Sequence, residues 1–325
     1  MQRGTLSRHF ALCLSLCVCL PCFADPLNVT DQNPLLSGYG LPAPLPTRLG
    51  PDLPWSLAAN FSWGNTAIAQ SSTPETLIVD AETRELRLTL QHVFANGYAM
   101  RLHLPYRTTT AGSLDGFIDD WHHTFGLPEG ARPSFRENSL RLLYRRDGAN
   151  LIDSRASSQG IGDLSIEVGR QLGAPDKAAF TAWLGASLPT GDADEFTGSG
   201  SLDLTAAIAG DYRLGDRWTA FGQIGGTWLG DGDRLPHQQR QWAASATAGI
   251  SARATDGLTL TLQFDGHTAL FDANELEFLG DTAMLSLCGT YRFPSQWALS
   301  LGLTEDIVAE SAPDIVFLLG LTKTW

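Results

Sequence analysis

Three sets of side chains in this 325-residue chain have types and spacings that could do chemistry. The first is Asp119, Asp120, His122 and His123, with Asp115 and Glu129 close by. Carboxylates and imidazoles crowded in this way are donors for a divalent cation or a polar ligand. Leu114, Phe117, Ile118 and Trp121 fall at helical spacing in the same stretch. That predicts a short amphipathic helix with an acidic face and Trp121 packed down. Neighbouring residues on a helix diverge by about 100°, so the four donors cannot all share one ion. A merely solvated acidic face is the alternative. The carboxylate-rich stretch Gly191 to Glu195 has the same two readings, solvation or cation bridging to lipopolysaccharide.

The second set is spaced by two: Glu85 with Arg87, Arg101 with His103, and Asp265 with His267. Arg141, Arg145, Glu167 and Asp203 join it on the same argument. Residues two apart on a strand share a face. Mixed charge on one face either pairs up and fixes the shape of what it lines, or offers a polar path to small solutes. The third set is the abundant Ser, His and Asp, enough for a hydrolase triad. No Gly-x-Ser-x-Gly, His-Glu-x-x-His, phosphate loop or dinucleotide fingerprint supports one. The sequence therefore reads as a non-enzyme without a cofactor, with a membrane hydrolase as the alternative.

The elements that must position these residues alternate with period two. In 98–107, Tyr98, Met100, Leu102, Leu104 and Tyr106 share a face opposite Arg101, His103 and Arg107. The stretches 217–228, 258–267 and 297–304 alternate in the same way. Such segments are strands with one apolar and one polar face. Aromatics end several apolar faces, as Tyr98 with Tyr106 and Trp218 with Trp228 do, and lipid-facing strands carry such girdles. Short turns, at 95–97, 147–148, 173–177, 215–216, 255–257 and 293–296, alternate with long loops. The loops are placed at 66–82, 108–137, 157–162, 189–200, 230–239, 270–281 and 306–313. This predicts an all-β transmembrane antiparallel barrel of 12–14 strands with a short helix in one long loop. The weakest strand covers 149–156; without its hairpin the count falls to 12. The final strand sets Ile315, Phe317, Leu319, Leu321 and Trp325 on one face and ends on an aromatic.

Residues 1–24 read as a cleaved signal peptide, with Arg3 and Arg8 ahead of the apolar run Phe10 to Leu20. Cleavage after Ala24 would leave Cys288 as the one cysteine. Residues 25–53 are Pro-rich and cannot form a central strand, so they are a lumen plug, a periplasmic tail or a linker. The barrel proper is 54–325. A formal charge of −13 with only Lys177 and Lys323 as lysines argues against nucleic acid.

Several stretches carry a family resemblance. They are LDGFIDDWHHTFGLPEGAR from Leu114 to Arg132, LPTGDAD from Leu188 to Asp194, the pair Glu305 to Ile307 and Ser311 to Ile315, and the pieces Asn33 to Leu35 and Tyr39 to Pro42. Together they resemble a family of proteobacterial outer-membrane proteins defined only as a domain of unknown function. Gly160 to Leu164 and Leu188 to Gly191 are also similar to outer-membrane proteins of phenol-degradation pathways. The resemblance implies a barrel and an outer-membrane location, and assigns no site residue.

The expected function is passage or binding of small solutes, apolar or aromatic ones included. A structural or surface-interaction barrel is the first alternative. The expected partners are outer-membrane lipid and lipopolysaccharide, and the outer-membrane assembly machinery reading the strand that ends in Trp325.

Overall fold

The computed structural model describes residues 26–36, 38–126, 131–272, 276–307 and 312–325. The signal-peptide segment 1–24 and Glu129 lie outside the described residues, as does the side chain of His122. Fifteen strands form one antiparallel sheet: β1 (Trp55–Ser72), β2 (Glu75–Val93), β3 (Tyr98–Thr110), β4 (Arg141–Arg146), β5 (Ala149–Ser154), β6 (Ser158–Ile161), β7 (Leu164–Gly173), β8 (Ala178–Leu188), β9 (Asp203–Arg213), β10 (Trp218–Trp228), β11 (Trp242–Arg253), β12 (Leu258–His267), β13 (Thr282–Arg292), β14 (Trp297–Asp306) and β15 (Ile315–Thr324). The helix α1 (Asp115–Phe125) follows β3.

Twelve strands, β1–β3 and β7–β15, make the closed wall. Closure is by β1 on β15, in register from Ser56 opposite Thr324 to Asn65 opposite Ile315. Trp55 and Trp325 complete it by exchanging backbone hydrogen bonds of 3.1 and 3.0 Å. The higher count of 14 is corrected to 12. The β4–β5 hairpin does not span the wall: β4 extends only the upper half of β2, from Glu75 to Asp80, and β3 covers its lower half. The 147–148 turn consequently sits at the loop end, where the Asp147 N–H donates to the Pro74 carbonyl. The expected loop 66–82 is also corrected. It is the top of a tall hairpin, paired from Trp55–His92 to Ser72–Glu75.

That hairpin explains both misplacements. Along its lower part the apolar side faces out: Leu57, Leu86, Leu88 and Leu90 are exposed. Other strands share this outer band, through residues such as Leu184, Ile224, Leu262 and Leu301. Trp55, Tyr98, Trp218, Trp297 and Trp325 ring the turn end, and Trp228 opposes Trp242 near the loop end. Such a band is what lipid-facing strands carry. Above it the phase inverts. Ile68, Leu77, Val79, Leu142 and Tyr144 turn inward and are fully buried, while Glu82 and Asp80 take the outer face. Inside, these residues meet Phe196, Leu229, Leu270, Phe271, Phe278 and Leu279 from the loops 189–202, 229–241 and 268–281. The loop end is therefore capped by an apolar core of the ordinary water-excluding kind. Full burial of each such side chain contributes roughly 1.5–3 kcal/mol.

The helix α1 packs on the outside of the wall. Leu114 and Ile118 cluster with Trp63, Ile315 and Phe317, which are outward residues of β1 and β15. Phe117 meets Phe317 edge-on at 5.9 Å and stacks on Trp121 at 6.2 Å. No helix among the described residues is long and apolar enough to cross a membrane, which says nothing against crossing by strands.

Candidate functional site

The lumen is occupied by the chain's own residues 26–36 and 38–50, which form no strand. Six prolines in 25–53 remove ladder donors, so this segment cannot pair as a central strand. Its remaining backbone groups are met by inward side chains of the wall, as buried backbone groups require. The Leu27 N–H donates to Gln263 Oε1 at 2.8 Å, and Gln263 Nε2 donates to the Leu27 carbonyl at 3.2 Å. Asp31 pairs with His267 at 3.2 Å. At the cap, Asn33 Nδ2 donates to the Phe278 carbonyl and Arg234 Nη1 to the Leu35 carbonyl. The segment then turns back. Asp203 accepts from the Gly40 N–H at 2.7 Å, Gln223 from the Leu45 N–H at 2.8 Å, and Gln171 from the Leu49 N–H at 2.8 Å. Thr47 and Arg48 both bond Asp211, at 2.5 and 2.8 Å. The reversal needs Gly38, whose φ is +98° and whose missing Cβ would lie 2.3 Å from the Gly198 carbonyl carbon.

Arg234 clamps this reversal. Its guanidinium also donates to the carbonyls of Ala193 and Gly198, and lies 5.0 Å over the Phe196 ring. Burial pushes its pKa down to about 10. Burial likewise raises that of Tyr39, whose hydroxyl donates to the Arg234 carbonyl at 3.2 Å.

A charged belt crosses the inner face of β2, β3 and β7. Glu85 sits between Arg87 at 2.8 Å and Arg107 at 2.5 Å. Glu167 sits between Arg101 and His103, both at 3.0 Å. His103 also bonds Thr89 at 2.9 Å, and Arg101 lies 5.7 Å over Trp183. On the far wall Asp265 accepts from Thr247 and Gln263, each at 2.8 Å. The structure thus turns Glu85, Arg87, Arg101, His103, Glu167, Asp203, Asp265 and His267 inward. Arg141 and Arg145 are corrected: they lie on the outer face of β4. Leu142 and Tyr144 take its inner face, because β4 belongs to the inverted, capped zone. Arg141 pairs there with Asp153, and Arg145 reaches Thr76.

Of the loop candidates, Asp119, Asp120 and His123 are described, and they are not brought together. Asp119 is drawn to Arg132 at 2.9 Å, while Asp120 and His123 are exposed. Arg132 also binds Asp115 at 3.1 Å and Asp314 at 2.6 Å, and donates to Asn65. Burial lowers its pKa, but these carboxylates outweigh that and hold it above the ordinary guanidinium value. Among the described residues no group of three or more His, Cys, Asp or Glu could hold a metal ion. The belt member Arg107 shares a period-two face with Arg101 and His103. Arg48, Asp211, Arg132 and Arg234 carried no such signal, because their partners are distant in sequence.

Fold and lumen together define an outer-membrane type of β-barrel whose interior is occupied by its own N-terminal segment. The chain belongs to the family described as protein of unknown function (DUF3187), which it matches over residues 22–325. No curated protein matches it. Among solved structures, an outer-membrane channel from Pseudomonas putida F1 is similar with a TM-score of 0.56 at 12% identity, over 84% of this chain and 96% of its own. The KdgM porin in complex with disordered oligogalacturonate is a more distant likeness, with a TM-score of 0.46 at 8% identity, over 83% and 99%. The P. putida toluene transporter TodX has a TM-score of 0.39 at 10% identity, over 85% and 91%. At these identities the likeness is one of fold.

Proposed function

We propose that the protein is an outer-membrane channel for small solutes, apolar or aromatic ones included, with residues 26–50 as an internal gate. The observation that carries this reading is how the segment is held. It fills the lumen without joining the sheet, through side chains such as Gln263, Gln223, Asp203 and Asp211. Each bond is separable, and none is needed to close the wall. A side-chain-filled interior suits eight strands and an aqueous channel suits 16–18; twelve strands leave room that one chain segment can fill or vacate. The fold likeness to a P. putida channel accords with this reading. Loops lie outside and turns in the periplasm, the outer band meets lipid and lipopolysaccharide, and the strand ending at Trp325 is read by the assembly machinery.

The test is conductance in planar bilayers of the purified protein and of a variant lacking residues 26–50. The intact protein should stay mostly closed with brief openings, and the deletion variant should conduct steadily. A deletion variant that is folded by heat-modifiable mobility yet does not conduct would refute the channel.

A further inference from the structure

The lumen segment and the loops above it do not meet as separate layers. The tip of the segment, Asn33 to Leu36 and Gly38 to Gly40, touches all three loops that cap the loop end. In loop 268–281 the Phe278 carbonyl accepts from Asn33 Nδ2 at 3.0 Å, and the Phe271 ring meets Tyr39 edge-on at 5.7 Å. In loop 229–241 the Arg234 carbonyl and Gln239 Oε1 each lie 3.2 Å from the Tyr39 hydroxyl, and the Arg234 guanidinium donates to the Leu35 carbonyl at 2.9 Å. Loop 189–202 closes on Gly38, where a Cβ would lie 2.5 Å from the Ser199 nitrogen. Asp203 is shared: it accepts from the Gly40 N–H at 2.7 Å and from the Gly230 N–H at 3.0 Å.

The loops also bond one another. The Asp233 N–H donates to the Ser199 carbonyl at 3.0 Å, and the Asp272 N–H to the Gln238 carbonyl at 2.6 Å. These bonds link the loops in pairs, while Leu35, Leu36 and Tyr39 of the tip supply side chains to the apolar core between them. At its other end the segment runs into β1, where the Pro54 carbonyl accepts from the Val93 N–H at 2.7 Å. The returning limb is therefore tethered at the turn end. To clear the lumen it must swing out through that end, and the tip must follow it out of the cap. A close-packed core does not give up three large side chains and keep its shape, because the atoms that lined them lose their partners outright.

We infer that the cap and the lumen segment are one gate. Withdrawal of the segment unseats the outer loops, and the segment stays seated for as long as the loops stay packed. Packed cores of this kind switch between discrete arrangements instead of deforming by degrees. An empty lumen under a closed cap, or a parted cap over a seated segment, is therefore not a stable state. Coupling between sites is reciprocal, so whatever parts the loops frees the segment by the same factor. The inference names how the proposed gate is controlled and rests on that reading for its physiological sense, since the coupling is measured without conduction.

The experiment locks the cap and reads the other limb. Gln238 and Asp272 flank the antiparallel bridge between Gln239 and Phe271, so they face each other at a spacing a disulfide can span. The substitutions Gln238→Cys and Asp272→Cys, once oxidised, tie two cap loops together. The readout is the rate at which Cys288 reacts with a small maleimide in the purified full-length protein in detergent, scored by peptide mass. Cys288 clusters with Leu27 and Val29, on the limb that does not carry Tyr39. The oxidised lock should slow Cys288 about tenfold against a Gln238→Ser, Asp272→Ser control, and Tyr39→Ala should speed it about tenfold. Each variant is checked for folding by heat-modifiable mobility. A locked protein that labels at the control rate would show that the limb opens without the cap and overturn the inference. So would a folded Tyr39→Ala protein that labels at the parent rate. Slowing by the lock in a protein that never conducts would refute the channel and leave the coupling standing. Conduction with Cys288 indifferent to the lock would keep the channel and remove the coupling.

Discussion

Gln263 holds Leu27 by both of its backbone groups, accepting from the N–H at 2.8 Å and donating to the carbonyl at 3.2 Å. One side-chain amide thus replaces the strand neighbour that the segment lacks. Leu27 and Val29 in turn cluster with Cys288 on β13, which is almost fully buried. Gln263→Leu should release the first limb of the segment and expose that thiol. Leaving such buried groups unpaired costs about 1–3 kcal/mol. Roughly 1.4 kcal/mol of easier opening gives a tenfold faster reaction of Cys288 with a small maleimide. An unchanged labelling rate in the folded variant would show that Gln263 does not hold the segment.

The returning limb has its own anchor. Asp211 accepts from Thr47 and from the Arg48 guanidinium. Asp211→Ala should remove both bonds and raise the open fraction in bilayer recordings, with heat-modifiable mobility unchanged. Gating identical to the parent protein would place the latch elsewhere.

The sequence made the wall legible where one rule holds throughout. Thr259, Thr261, Gln263 and Asp265 face in and Leu260, Leu262 and Phe264 face out, as alternation in 258–267 predicts. It misled where the solvent changes along a single strand. On β2 the apolar side is the outer one at Leu86, Leu88 and Leu90 and the inner one at Leu77, Val79 and Ala81. Period two persists, but its phase no longer says which side is in. Arg141 and Arg145 look inward under the lower rule and face out under the upper one that governs β4. The path of residues 26–50 had no local signature, because it is set by partners more than a hundred residues away, such as Asp211 and Gln263. The belt was half legible: the strand spacing marked Arg101, His103 and Arg107, and only the fold set Glu85 and Glu167 between them.

The final strand offers a test of assembly. Phe317 packs with Trp63 and Phe117, and the Trp325 backbone bonds Trp55 twice. Phe317→Asp or loss of Trp325 should sharply reduce heat-modifiable protein in outer-membrane fractions. Thr322→Ser, on the inner face, should leave it unchanged. Full yields from both damaging changes would show that closure does not depend on this strand.

Orientation can be read on intact cells. A cysteine at the exposed Ser113, beside α1, should react with an impermeant maleimide. A cysteine at Asp176, in the turn between β7 and β8, should react only after the outer membrane is permeabilised. The reverse pattern would invert the barrel.

The cap around Phe271, Phe278 and Leu279 is held together by burial from water, and the wall beneath it by the backbone hydrogen bonds between its strands. These are different forces with different temperature dependences. Burial from water weakens on cooling and in urea, whereas packing within a bilayer draws no such drive from water. Because Leu35, Leu36 and Tyr39 of the lumen segment are themselves part of the cap core, the seating of that segment shares the cap's dependence on burial from water. The barrel should therefore loosen from its outer end first in the cold or in chaotropes, while its twelve-stranded wall stays intact.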